Sequence, residues 1–145
     1  MTGLHVAVGV AVVVTNALAG GWGGVAWLRK DPSPVFWVLL RVAQVVTVVQ
    51  VVIGFALYST GNRPESQLHY VYGVAPLVVA FASEAMRVGA AQRELADVGD
   101  VHALEESEQI VLARRVVLRE MGIMAVGALL ILTLALRAAV TSGGL

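Results

Sequence analysis

No cysteine occurs in the 145 residues. Its absence removes disulfides, thiolate metal sites, iron–sulfur clusters and cysteine nucleophiles together. Charge is scarce too: 14% of the residues are charged, against about 25% in a soluble domain. The ten acidic and ten basic residues balance, so no positive excess points to nucleic acid. What fills the chain instead is apolar. Hydrophobic residues make up 58%, above the roughly 45–50% of a soluble domain, and they are clustered.

Four apolar runs are long enough to cross a hydrocarbon core of about 30 Å, which takes roughly 20 helical residues. They span about 4–28, 35–58, 68–86 and 121–141. Valine and isoleucine are abundant, yet the runs are apolar all round, whereas membrane strands alternate over about ten residues. In lipid such a run satisfies its backbone as a helix. Ala17-Leu18-Ala19 looks like a signal-peptide cleavage site, but Met1–Leu4 carries no Lys or Arg and the run continues past Ala19. The first run is therefore expected to remain as a helix.

Basic residues orient the spans. Arg29, Lys30, Arg87, Arg93, Arg114, Arg115 and Arg119 fall on one side, with Arg41 just inside the membrane. The other side has Arg63, with Arg137 near the end of the last span. The first side is expected to be cytoplasmic and both termini non-cytoplasmic, in a multi-pass protein of the cell (inner) membrane. Trp22, Trp27 and Trp37 fit the inner border, and Tyr58, Tyr70 and Tyr72 the outer one. Residues 87–120 are expected to form a cytoplasmic helical hairpin. Its turn lies near Val98-Gly99-Asp100, and Asp100 caps a helix from Val101.

A short self-match runs through the chain. Leu4-His5-Val6-Ala7-Val8-Gly9-Val10-Ala11 opens the first span, and Leu68-His69-Tyr70-Val71-Tyr72-Gly73-Val74-Ala75 the third. Five of these eight positions are identical. Weaker echoes pair Val38-Leu39-Leu40-Arg41 with Val116-Val117-Leu118-Arg119, and Ser59-Thr60-Gly61 with Thr141-Ser142-Gly143. The expected fold is all-α and integral to the membrane. It is a single domain, a four-transmembrane-helix bundle of two duplicated hairpins with a cytoplasmic helical extension between helices three and four. Parallel repeats would be related by an axis along the membrane normal, bringing His5 and His69 to equal depth.

With about 100° per residue, Gly9 and Asn16 share the face of His5, and Gly73, Pro76, Ala80 and Ser83 that of His69. Polar groups avoid lipid and small residues favour helix contact, so both histidines are expected to face the bundle interior. Arg41 and Glu84 fall at nearly one depth on antiparallel helices, where an ion pair is expected. Asn16 and Gln44 are expected to hydrogen-bond nearer the middle.

Neutral imidazole ligates iron, zinc or copper. A zinc ion would recruit more ligands than two histidines. Two opposed histidines at equal depth suit the axial positions of a haem iron, and Gly9 and Gly73, one turn on, leave room for the porphyrin. No C-x-x-C-H motif occurs, so the haem would be haem b. The expected metal ligands are His5 and His69. His102, among Glu105, Glu106 and Glu108, reads as a solvated residue.

Leu4-His5, followed by Gly20-Gly21-Trp22-Gly23-Gly24, resembles the start of small four-helix haem-binding membrane proteins. These include the CopD-like copper-resistance domains and the HemJ-type protoporphyrinogen oxidases. The resemblance covers mainly the first helix and implies His5 as a haem ligand. The chain departs from the HemJ-type proteins in placing Lys30, its one lysine, in a loop, which counts against porphyrinogen oxidation. The leading expectation is a cytochrome b-like electron-transfer protein in the lipid bilayer, serving quinone or a respiratory membrane complex, and not a stand-alone enzyme. The alternatives are a non-catalytic accessory or assembly subunit of a larger membrane complex and, third, a small transporter.

Overall fold

The structure is a computed structural model that describes residues 2–61, 63, 66–96 and 98–141. The Ser142-Gly143 part of the weaker echo lies outside the described residues. Helices account for most of what is described: α1 Thr2–Leu28, α2 Pro34–Ser59, α3 Leu68–Ala96 and α4 Glu106–Thr141. They contain 27, 26, 29 and 36 residues. At about 1.5 Å per residue each exceeds about 30 Å, and all four are apolar enough to cross a membrane.

The connections are set by local chemistry. α1 ends in a Schellman motif. The Asp31 N–H donates to the Ala26 carbonyl (2.9 Å) and the Lys30 N–H to that of Trp27 (2.9 Å). Lys30 takes the left-handed position with φ of 56°. Three residues later Ser33 caps α2, with Pro34 at its first turn. The Ser33 hydroxyl accepts from Phe36 N–H (3.4 Å) and from the indole N–H of Trp22 (2.9 Å), which ties the two helices together. At the other end of α2, Gly61 turns the chain with φ of 84°.

The return from α3 to α4 differs from the sequence expectation. Asp100 does cap residues from Val101, its carboxylate accepting from His102 N–H at 2.9 Å. The capped element is only a 3-10 turn, Val101–Ala103, because Leu104 is extended and ends it. The long helix starts at Glu106, not Val101. There Glu108 reaches back to the Glu105 N–H (3.3 Å), half of a capping box.

α1 packs closely on α2 and α4, and α3 closely on α4. α2 meets α3 more loosely, so α1 and α3 stand across the bundle from each other. The core is narrow: Ala19, Ala26, Phe36, Leu40, Ala43, Met121, Met124, Ala125 and Ala128. Small residues bring the helices together, as expected where lipid gives no hydrophobic drive to associate. A Cβ on Gly20 would meet the Leu129 side chain at 2.7 Å, and one on Gly122 the Trp27 ring at 2.6 Å. Gly23 is filled against Phe36 and Gly127 against Ser83. Large apolar side chains such as Val45, Val52, Phe55, Val71 and Phe81 point outward.

Candidate functional site

Two polar centres occupy opposite ends of the bundle. One is built around Glu84. The Arg41 guanidinium donates to it at 2.7 Å, the Gln44 amide at 2.9 Å, and Arg87 Nε at 2.9 Å. Arg87 also meets Glu120 at 3.5 Å and lies over the Trp37 ring. Further along, Glu94 pairs with Arg115 and Arg119. Gln44 is drawn into this centre, bonding Arg41 and Glu84. Asn16 therefore does not bond Gln44. Its amide donates to the Val12 carbonyl (2.9 Å) and to the buried hydroxyl of Thr47 (3.4 Å). A hydroxyl one turn closer on α2 is the nearer acceptor, and Gln44 is already held by a charge.

The other centre contains the histidines. His69 is fixed by the first turn of α3, where its N–H donates to the Ser66 carbonyl (3.1 Å) and the Ser66 hydroxyl accepts from Leu68 N–H (3.2 Å). The His69 ring donates from Nδ1 to the Ala138 carbonyl of α4 at 3.0 Å. That bond sets the tautomer and leaves Nε2 as the lone-pair nitrogen, the arrangement usual for a ligating histidine. His5, on α1, lies against α2. The Gln50 amide donates to its Nε2 at 3.4 Å, and Gly54 lets its ring edge approach closely. The centroids of the two imidazole rings are 6.0 Å apart, with 64° between the planes.

Three buried polar atoms among the described residues have no hydrogen-bond partner: His5 Nδ1, Gln50 Oε1 and the Tyr70 hydroxyl. All three belong to this end. Each orphaned polar group costs about 1–3 kcal/mol. Around them, Tyr58 stacks edge-on against Tyr70 (5.5 Å), and Arg137 lies over Tyr72. The two glycines of the motif differ. Beside Gly73 nothing lies within 4 Å of where a Cβ would sit, whereas a Cβ on Gly9 would meet the Gln50 amide at 3.0 Å.

Gln50 and Gly54 were not singled out from the sequence, and Tyr70 was read there as an aromatic of the outer border. The signal for Gln50 was present, because Arg41, Gln44, Thr47 and Gln50 interrupt the valines of α2 at every third position. His102 is exposed on the 3-10 turn, far along the chain from either histidine of the pair.

No family model, curated protein or solved structure matches this chain. The chemistry of the site rests on its own residues. No three His, Asp or Glu side chains among the described residues gather where they could hold a metal ion. A bare metal between the histidines would have two protein ligands, fewer than zinc takes. A metal that brings its own equatorial nitrogens needs only two.

Proposed function

We propose that the protein is a b-type cytochrome-like membrane protein, with His5 and His69 as the axial ligands of one haem b. The observation that carries this reading is the 6.0 Å between the two imidazole centroids. Two axial nitrogens at about 2 Å from one iron lie about 4 Å apart, and about 1 Å from each nitrogen to its ring centre gives about 6 Å. The bare Nε2 of His69, the orphaned atoms beside His5 and the open space at Gly73 support it. At His5 the lone-pair nitrogen is Nε2, since the Gln50 amide donates to it over a long 3.4 Å contact that a metal–nitrogen bond would replace. The bound haem would supply one-electron chemistry. This chain's residues would fix two imidazoles, keep lipid and water from the iron, and set the surroundings of the ligands. The resemblance of Leu4-His5 to CopD-like and HemJ-type proteins points the same way for His5.

The reading carries further parts. The helical hairpins 1–2 and 3–4 are duplicates. The end holding Arg29, Lys30 and the Glu84 centre faces the cytoplasm, residues 87–120 extend into it, and electrons pass near the outer face of the cell (inner) membrane to quinone or a respiratory complex. A reporter inserted near Gly99 should lie inside, and one fused after Leu145 outside. A cytoplasmic C-terminus would overturn the orientation.

One observation favours an accessory-subunit role as the second reading. Ile110 and Val111 are exposed on α4, beside a groove bounded by Val98, Leu104 and Leu112, in the stretch that would serve as the docking element. The small-transporter reading is weaker, because Glu84 is held by Arg41, Gln44 and Arg87 and is not free to carry protons.

The test is an absorption spectrum of protein made with ample haem. His5→Ala or His69→Ala should abolish or greatly weaken the Soret band. His102→Ala and Gln50→Ala should leave it intact. A folded but colourless protein sinks the proposal and puts the accessory-subunit reading first.

A further inference from the structure

Between α2 and α3, the loosest of the neighbouring helix pairs, lies a cleft of about 260 Å³. Its polar end is formed by Arg41, Gln44, Thr47 and Glu84, and its walls by Val48, Leu77, Ala80 and Phe81. It is smaller than the roughly 300–1,000 Å³ that enclose a drug-sized ligand. Phe81 is 68% exposed, so the wall opens sideways, toward the acyl chains in a bilayer.

Arg41 is the residue that the bundle leaves unfinished. Its side chain is 53% exposed although it sits within an apolar helix, about 10 Å along α2 from Pro34. Both of its hydrogen bonds use Nη1, to Gln44 Oε1 (2.6 Å) and Glu84 Oε1 (2.7 Å). The Nε and Nη2 edge has no bond among the described residues. That edge is the planar fork that grips phosphate bidentately. Its counter-charge is also shared, since Glu84 serves Arg87 as well. A guanidinium with open donors beside hydrocarbon is costly, and reaching toward the headgroup layer relieves that cost only in part.

We propose that this cleft binds a phospholipid, its phosphate on the Nε/Nη2 edge of Arg41 and one acyl chain against Val48, Leu77 and Phe81. The cluster locks Arg41 in place from one side, and the lipid completes it from the other. The proposal is independent of haem at the far end of the bundle.

The experiment measures phospholipid retained by protein purified in mild detergent, then titrates delipidated protein with phosphatidylglycerol, with diacylglycerol of the same chains, and with inorganic phosphate. About one phospholipid per chain should be retained, and phosphatidylglycerol should rebind. Diacylglycerol lacks the phosphate and inorganic phosphate lacks the chain, so neither should compete at equal concentration. Arg41→Lys keeps the charge beside Glu84 but loses the fork, and should weaken binding about tenfold. Leu77→Trp fills the wall without touching the charged cluster and should also expel the lipid. The melting curve reports folding, and the second variant carries the test if the first unfolds. Equal retention by folded Arg41→Lys or Leu77→Trp protein overturns the proposal. So does displacement by inorganic phosphate alone, which would mark a site for free anions, and so does competition by diacylglycerol, which would mark a greasy groove indifferent to Arg41.

Discussion

The two ends of the bundle solve the same problem in opposite ways. At the Glu84 end, the buried polar groups are matched: one carboxylate takes two arginines and an amide, Asn16 and Thr47 pair above it, and the open edge of Arg41 lies on the exposed side. Gly20, Gly23 and Gly122 there are filled by Leu129, Phe36 and Trp27, while Gly21 and Gly24, on the other side of α1, are open. At the histidine end, buried polar atoms lack partners and the space beside Gly73 is open. A centre whose buried groups are matched stabilises the bundle, and one whose buried groups lack partners is where a ligand inside the bundle is expected, because native structures rarely leave buried polar groups unpaired without a reason.

The sharpest way to break the contrast is to remove one group from each end. His69→Ala should cost the Soret band while destabilising the haem-free protein by only about 1 kcal/mol, for the lost bond to Ala138. Glu84→Gln should keep the band and destabilise more, by about 2 kcal/mol, because it leaves Arg41 and Arg87 short of negative charge in a partly buried site. The double change Arg41→Met with Glu84→Gln should be milder than the sum, as Arg87 still has Glu120. Additive single changes would mean that Arg41 and Glu84 do not stabilise each other.

Glycines offer a second comparison. Gly127→Ala drives a methyl into Ser83, and Gly122→Ala into the Trp27 ring. Overpacking of this kind costs about 1–3 kcal/mol. Gly73→Ala meets nothing and should be neutral to stabilising, by up to about 1 kcal/mol, because alanine restrains the unfolded chain. Gly73→Leu should lower haem content without removing a ligand. If Gly73→Ala destabilises as much as Gly127→Ala, the two ends are packed alike and the open space is not real.

Much of the architecture was legible because lipid leaves the chain few choices. A continuous apolar run must be a helix, so the four long helices follow from hydropathy alone. Side-chain partners were less legible. The face arithmetic used His5 and His69 on their own helices, but Gln50 comes from a third helix, and rotation about one axis says nothing of the neighbour's phase. Depth pointed to Gln44 as the mate of Asn16, and the bond goes to Thr47 instead. The choice was made by Glu84, which claims Gln44. The start of α4 was misplaced because Asp100 is a sound cap, yet one extended residue, Leu104, stops what it begins.

The smallest expected effect lies at the turn after α1, next to the Glu84 end. Lys30 adopts a left-handed backbone, φ 56°, that costs a residue with a Cβ roughly 1–2 kcal/mol. Glycine is the usual occupant of that Schellman position. Lys30→Gly removes the strain, and the carbonyl that accepts from Arg114 at 2.8 Å remains. Two terms oppose the gain. Glycine frees the unfolded chain, costing about 0.4–1 kcal/mol. The lysine charge near the helix C-terminus, worth about 0.3–1 kcal/mol at an exposed site, is lost. The midpoints of the three terms leave a gain of about 0.2 kcal/mol, within about 1 kcal/mol either way. Lys30→Ala loses the charge and keeps the strain, so it should fall below the wild type. The expected order of thermal midpoints is therefore glycine at or just above lysine, and lysine above alanine. An alanine variant as stable as the glycine variant would show that the left-handed turn is not what limits this end.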